Sequence, residues 1–537
     1  VKHVFVRLSA CLLLVASFSC SGGKPKAAPG GASILHVNLG AEVQNLDPHL
    51  VTGVPEHRAC SALFEGLTNI DPATLQPVPG IAASWSVSPD ALTYTFHLRP
   101  EAKWSNGDPL GAEDFVYSWK RELTPALGAE YAYLLHCIRN AKAYAEGRIT
   151  DFDQVGVKAR DAHTLEVQLE APTPYFLAMQ IHQAWLPVHR ATIERHGKPE
   201  DRNNPWTRPG SHVGNGPYRL AAWRPNEYMD VVPNEHYWDA ARIRLGGIRF
   251  YPIDNLMTEE RSFRSGALHI TEDIPLDKIP VYQRENPAVL RLDPYLGVYY
   301  YRINVTRPPF NDRRVRRALS MALDREQITA NVMKAGERPA YHYVPPGCGD
   351  YESRGRIPFD AAGARALLAE AGFPEGRGLP PIEILYNTSE NHKRIAEAVQ
   401  RIWKEGLGVD VRLLNQDWKV YLDTMNQLDY TLARSGWIAD VVDPINFLEC
   451  YVTNSGNNRT GFASPDYDAL IEAAGREADT GRRRALLQQA EDLLLEEMPI
   501  IPVYFYTRKF LMATEVRGYT PNVLGYVRWK DLELAMP

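Results

Sequence analysis

The sequence is poor in the features that announce chemistry. It holds six cysteines in 537 residues, and no two are separated by only two residues, so neither a redox dithiol nor a zinc ribbon is indicated. No HExxH, GxSxG or P-loop pattern occurs, which removes the usual signatures of metalloproteases, serine hydrolases and nucleotide-driven enzymes. The fifteen histidines are scattered. His182, His189 and His196 repeat every seven residues but lack the i, i+4 spacing of a helical metal pair. A charge of one sign is also missing: 59 Lys and Arg against 65 Asp and Glu leave a net charge of -6, which gives no electrostatic reason to bind nucleic acid. After the first twenty residues no apolar run approaches the length of a membrane span. Recognition by a local pocket is what these absences leave.

At 537 residues the chain exceeds one ordinary core, so two or three domains are expected. A hydrophobic content of 45% and a charged content of 23% are those of a globular protein. The first residues stand apart. Lys2 and Arg7 make a short basic region, and residues 8–18 form a mostly apolar run, too short to span a bilayer and suited to a signal peptide. Ser17-Phe-Ser-Cys20 resembles the lipobox of bacterial lipoproteins, with Ser17 where Leu is usual. The expectation is a signal peptide over 1–19, lipidation of Cys20 and a flexible tether over 20–32. Acyl chains on Cys20 would anchor the protein to a membrane, each buried methylene contributing ~0.8 kcal/mol. An ordinary secreted protein with a cysteine at this place is the alternative. The four later cysteines, Cys60, Cys137, Cys348 and Cys450, are too widely spaced to identify a pairing.

The pattern beyond the tether is α/β. Residues 34–39, 93–98 and 163–169 alternate apolar and polar side chains as half-buried strands do. Residues 112–121 set Phe115, Val116 and Trp119 at helical spacing behind the acidic first-turn residues Glu113 and Asp114. Further helices are expected over 313–323, 361–371, 392–405 and 482–497, with Gly372 as the stop of the second of these. Strand-like runs at 382–386 and 409–414 flank the 392–405 helix and predict a βαβ unit. In the cluster Tyr299-Tyr300-Tyr301 neighbouring residues of a strand must point to opposite sides, so at least one is expected to face a cleft or solvent.

One stretch is long and specific. Residues 80–109 open with Gly80-Ile-Ala-Ala-Ser-Trp85 and close with Lys103-Trp-Ser-Asn-Gly-Asp-Pro109, and Ala112-Glu-Asp-Phe-Val-Tyr-Ser-Trp119 follows. Together they resemble the signature of the peptide- and nickel-binding family (family 5) of extracytoplasmic solute-binding proteins of ABC importers. A closer similarity, to oligopeptide-binding members from Gram-negative bacteria, rests on Glu42-Val-Gln-Asn-Leu-Asp-Pro-His49, Phe64-Glu-Gly-Leu67 and residues 156–167. It continues through Pro308-Pro-Phe-Asn-Asp-Arg-Arg-Val-Arg316, residues 385–393, Asn415-Gln-Asp-Trp-Lys419 and Arg434-Ser-Gly-Trp-Ile-Ala-Asp440. The resemblance implies a two-lobed, periplasmic-binding-protein-like (type II) fold with an extra third domain. Lobe I would comprise 33–64, 188–292 and 508–537, the satellite domain 65–187, and lobe II 293–507. A short peptide would lie extended between hinged lobes and be delivered to the permease and ATPase complex of an importer. No cofactor or enzymatic activity is expected, and the protein should be a monomer of the periplasm or cell envelope.

A closed cleft strips water from the ammonium group of a peptide, so an ionised carboxylate is needed at that end. Taken alone, Asp440 reads as a loop or helix-cap residue; the surrounding motif makes it the family's partner of the peptide amine. By the same resemblance Arg434 lies near the carboxylate of very short ligands and His392 serves longer ones. Tyr131, Trp418, Leu422 and Trp437, with Val54 and Tyr295, would line the side-chain pockets; plain core packing is the alternative for each. Main-chain recognition would come from an added strand, which reads no side chain. Four positions depart from the best-known members. Thr52 and Arg302 stand where acids are found, Met425 replaces an arginine and Asp273 an asparagine. Gly297 and Ile438 replace two cysteines that can pair there, so that disulfide is absent. The change at Arg302 predicts reduced affinity for basic peptides. Other readings are a receptor of the same fold for a dedicated ligand (a murein tripeptide, a dipeptide or a signalling peptide) and a secreted peptidase. The peptidase lacks a nucleophile–base pair or metal motif in this sequence.

Overall fold

The computed structural model describes residues 33–535. The expected signal peptide over 1–19, Cys20 and the tether over 20–32 lie outside the described residues, as do residues 536 and 537 at the end of lobe I. A first sheet has the order Ile34–Asn38, Gly247–Tyr251, Tyr228–Pro233, Tyr218–Arg224. Its first pair is parallel and the others antiparallel. The alternation seen in the sequence places Leu35 and Val37 in a core with Val231, Ile248 and Phe250, while His36 turns outward to the Tyr251 hydroxyl at 2.9 Å. A second, antiparallel sheet runs Ala82–Val87, Thr93–Leu98, Thr164–Gln168, Val157–Asp161. Against it packs the helix Ala112–Leu123, which buries Phe115 and Trp119. Asp114 fixes the start of that helix by accepting the Gly111 N–H at 2.8 Å.

The third sheet has six strands, in the order Arg338–Pro339, Ile500–Leu511, Leu290–Ile303, Leu432–Ile438, Ile382–Asn387, Val411–Gln416. Its last two strands are parallel and joined by the helix Glu390–Leu407, the βαβ unit that the periodicity indicates. Ser389 caps the helix, its hydroxyl accepting the His392 N–H at 3.5 Å, and Gly408, at φ +73°, supplies the left-handed turn that ends it. The other expected helices appear as Arg313–Met321, Ala361–Glu370 and Thr480–Glu497. The first and third sheets are the hearts of two lobes, and the second sheet belongs to an additional domain beside them.

The tyrosine cluster behaves otherwise than the sequence suggests. Tyr299, Tyr300 and Tyr301 are all fully buried. Tyr299 and Tyr301 enter the core that holds Ile384, Trp403 and Tyr504. Tyr300 points the other way, into a core with Tyr343, Phe447 and Tyr451. The alternation is as expected, but the sheet is covered on both faces, so neither side of the cluster meets solvent.

Two strands are long enough to serve both lobes. Leu290–Ile303 has 14 residues and Ile500–Leu511 has 12, and their antiparallel register breaks between Pro294 and Val298. Beyond the break they leave the six-stranded sheet. There the Met512 N–H donates to Val289 O at 2.8 Å, and Met512 bridges to Ile270, which bridges to Val37 of the first sheet. Cys60, Cys137, Cys348 and Cys450 are free. Gly297 and Ile438 face each other across the register of two strands, and a Cβ on Gly297 would collide with the Ile438 side chain. Among the described residues no helix is long and apolar enough to cross a membrane.

Candidate functional site

The strand Leu432–Ile438 pairs along its whole length with Leu290–Ile303. On its other side Ile382–Asn387 meets it only at Leu432 and Ala433. At Arg434 the carbonyl of that second edge accepts the Tyr421 hydroxyl; beyond it, from Gly436 to Ile438, the edge is open and borders a cavity lined by residues from both lobes. The facing wall is Thr52, Gly53 and Val54, where the helix Val54–Leu63 begins. Gly53 is required by close approach: a Cβ would lie 2.8 Å from the Trp418 ring. Trp418 opens the helix Trp418–Asn426, which also presents Leu422 and Met425 to the cavity. Its indole N–H donates to Glu56 Oε1 at 3.2 Å, tying the helix of one lobe to that of the other.

Asp440 stands just past the cleft strand. Its backbone N–H donates to Asn446 Oδ1 at 2.9 Å, and its Oδ2 accepts from Asn446 Nδ2 at 3.2 Å. Asn446 Oδ1 also accepts the Trp437 indole N–H at 3.3 Å, so one buried amide orients both residues. The other carboxylate oxygen lies 3.6 Å from His182 Nε2. That imidazole is no counter-ion: burial, and then His57, push its pKa well below the usual value. Its Nδ1 accepts the Ala184 N–H at 3.2 Å, and the Tyr131 ring packs edge-on against it at 4.3 Å. Asp440 therefore has no cationic partner among the described residues, and burial pushes its pKa up to about 7, with the Asn446 bond opposing.

The positive end lies near the start of the same strand, on the face opposite Trp437. Arg434 is opposite Tyr301 in the register, and Trp437 opposite Val298. Alternation therefore sends Arg434 towards Tyr299 and Trp437 the other way. The Arg434 guanidinium stacks over the Tyr299 ring at 4.9 Å and donates to Tyr506 OH at 2.8 Å and Asn387 Oδ1 at 3.3 Å. Its Nε is buried without a partner, and no carboxylate among the described residues pairs with it. The cleft thus offers a lone carboxylate at one end and a lone guanidinium at the other, with an open strand edge between them.

Asp440, Arg434, Trp437, Trp418, Tyr131, Leu422, Val54, Thr52, Arg302 and Tyr295 all line this cavity. His392 and Asp273 do not; both sit behind it. The His392 ring lies 5.7 Å from Tyr299 with its Nδ1 unpartnered, and burial, then Arg434 and Lys509, hold its pKa well down. Asp273 Oδ2 accepts from Asn391 at 3.0 Å, beside the ion pair of Lys509 and Glu337 at 3.1 Å. Three residues that shape the site were not singled out from sequence for this role: His182, Asn446 and Arg459. His182 carried only the seven-residue histidine spacing, and the other two carried no signal.

Residues 76–459 match the model of bacterial extracellular solute-binding proteins, family 5 Middle. The chain is 40% identical over 498 residues to the periplasmic oligopeptide-binding protein OppA of Escherichia coli, covering 90% of this chain and 89% of that protein. The structure of Haemophilus influenzae OppA in complex with the peptide RPPGFSPFR is 33% identical and superposes with a TM-score of 0.88, covering 94% of this chain and 99% of that one. A periplasmic murein tripeptide-binding protein, MppA, in its unliganded open form is 36% identical with the same coverages, yet its TM-score is 0.61. The lobes are disposed as in the peptide complex rather than as in the open form.

Proposed function

The chain belongs to the family 5 bacterial extracellular solute-binding proteins, and on that premise we propose that it is the substrate-binding component of an ABC oligopeptide importer. The observation that carries the proposal is the pair of unpaired charges at the two ends of the cleft. Asp440 would take the peptide ammonium, and Arg434 its carboxylate. Between them the open edge from Gly436 to Ile438 would accept the peptide as an added strand, with Tyr131, Trp418, Leu422 and Trp437 around its side chains. Strand rise of roughly 3.3 Å per residue sets an upper bound of about 20 Å on the distance between the Cα atoms of Arg434 and Asp440. Less the inward reach of the two side chains, that span suits an extended peptide of about three to five residues.

Capture requires the lobes to close, and a ligand shifts that equilibrium only by binding the closed form better. Both cleft charges supply that difference, because each is buried without an ion partner when the cleft is closed and empty. The hinge would lie at the register break between Pro294 and Val298, close to the proposed lobe boundaries near 292 and 507. His392 would serve longer peptides that reach past Arg434. The protein is assigned to the periplasm or cell envelope as a monomer without enzymatic activity, held by lipid on Cys20.

Native mass spectrometry of protein made without Cys20, before and after mild denaturation, tests the proposal. A ladder of released short-peptide masses is expected. An empty protein that then fails to bind a mixed peptide library would refute it. A second reading, a dedicated murein-fragment receptor, rests on the likeness to MppA, 36% identical; a single released mass would select it.

A further inference from the structure

Resting on the peptide-binding reading, we propose that Arg302 and Arg459 form a pocket for an acidic side chain of the bound peptide, separate from the groups that hold its two ends. Both guanidinium-bearing residues line the cavity, and both are nearly buried, at 2% and 7% exposure. Arg302 is fixed: Nη1 donates to Asn457 O at 3.0 Å, and Nε and Nη2 to Tyr300 OH at 3.3 and 3.1 Å. Arg459 is left short of partners. It gives one long bond to Thr52 Oγ1, at 3.5 Å, and its Nε has none. No carboxylate among the described residues is in ion-pair reach of either. Glu130 acts on Arg459 only from a distance; its Oε1 pairs with Arg202 at 3.1 Å, and its Oε2 is buried without a hydrogen-bond partner.

Two buried like charges without an anion repel each other, and burial followed by Arg302 draws the Arg459 pKa down. An incoming carboxylate would relieve both effects, through charge-assisted bonds that a neutral amide cannot match. The terminal carboxylate of the peptide is the wrong occupant. Arg302 stands opposite Ala433 and Arg434 opposite Tyr301 in the same register, so the two cations leave the sheet on opposite faces. A peptide whose end is held by Arg434 reaches the Arg302 side only with a side chain. The apolar Met425 and the hydroxyl of Thr52 bring no acid to compete for it.

The test is calorimetry on the full chain, freed of ligand by unfolding and refolding. Trialanine peptides carry Glu, Gln or Lys at each position in turn. At one position Glu is expected to bind at least about tenfold more tightly than Gln, with Lys weaker than Gln. The Glu-to-Gln ratio should collapse in Arg459→Gln and return in Arg459→Lys. Inorganic phosphate should erase the Glu advantage in the wild type while leaving the Gln peptide unaffected. Glu and Gln peptides that bind equally at every position would overturn the pocket but not the receptor, as would a ratio unchanged in Arg459→Gln. Phosphate binding without a Glu preference would make it a site for free anions and overturn the side-chain assignment. If no tripeptide binds at all, the peptide-receptor reading itself fails.

Discussion

Replacing Asp440 by Asn should stabilise the empty protein while weakening its hold on peptides. In the empty closed cleft the Asp440 carboxyl is raised from 3.8 to about 7, so the folded state holds its proton more tightly than the unfolded chain. Stability from this group is fully present below the unfolded pKa, near 4, and is lost as the pH rises through 7. A shift of about three pKa units corresponds to about 4 kcal/mol, of which roughly 3 kcal/mol is lost between pH 5 and pH 8. The side chain is 20% exposed, and solvent trims that figure without abolishing it. Urea unfolding of ligand-free wild type and Asp440→Asn at both pH values isolates the effect, because all other titrating groups are common to the two. Wild type should lose roughly 3 kcal/mol more than the variant over this interval. In peptide titrations the wild type should bind less tightly as the pH falls below 7, since the carboxylate must shed a proton to meet the ammonium. The variant should bind weakly at every pH. Equal pH slopes of stability in the two proteins would refute the isolated-carboxylate account, even if the variant bound less peptide.

The remaining predictions concern the other end, the disulfide position and closure. Amidating the peptide C-terminus should cost wild type about 1.5–3 kcal/mol of affinity, but cost Arg434→Gln much less; calorimetric double-mutant comparison reads the difference, and equal losses would remove Arg434 from the ligand. Gly297→Ala should destabilise by about 1–3 kcal/mol through overpacking, because its Cβ would press on Ile438 and lie 2.8 Å from Trp437 O. Urea unfolding measures this, and partial rescue by Ile438→Ala would identify the collision as the cause. Trp418→Phe removes the indole N–H that reaches Glu56 Oε1 at 3.2 Å. The variant should be more open with peptide at a subsaturating level, as small-angle X-ray scattering reports; an unchanged profile would show that this bond does not support closure.

Local structure was the legible part of the sequence. The βαβ unit around Glu390–Leu407 is written in two alternating runs and one 3.6-residue period, and a capping serine and a terminal glycine bound it. Tyr299-Tyr300-Tyr301 shows where such reading stops. Periodicity tells which way each ring points, but whether one or two cores receive them depends on Tyr343 and Phe447 on one side and Tyr504 on the other, from chain far away. The site divides in the same way. Asp440 and Arg434 could be picked out because they share a seven-residue motif with Trp437. His182, Asn446 and Arg459 reach the cleft from separate elements, and no local pattern marks a histidine kept neutral by burial or an arginine left without an acid. The departures at Thr52 and Arg302 were visible one by one. That Arg302 has Arg459 as its companion in the cavity is a fact of folding alone.

The paired strands Leu290–Ile303 and Ile500–Leu511 carry a consequence for how this chain can vary through evolution. They run side by side from one lobe to the other, and under the proposed hinge the turn of one lobe against the other would be taken up where their register slips. A residue gained or lost in either strand beyond that slip would reverse the facing of every side chain that follows. Tyr299 and Tyr301 would exchange cores with Tyr300, and Arg302 would swing out of the cleft. Surface loops can lengthen at small entropic cost, so insertions should collect there and spare this pair. Strand length here acts as a ruler shared by the pivot, the two cores and the cleft, and a change suited to one would be rejected by the other two.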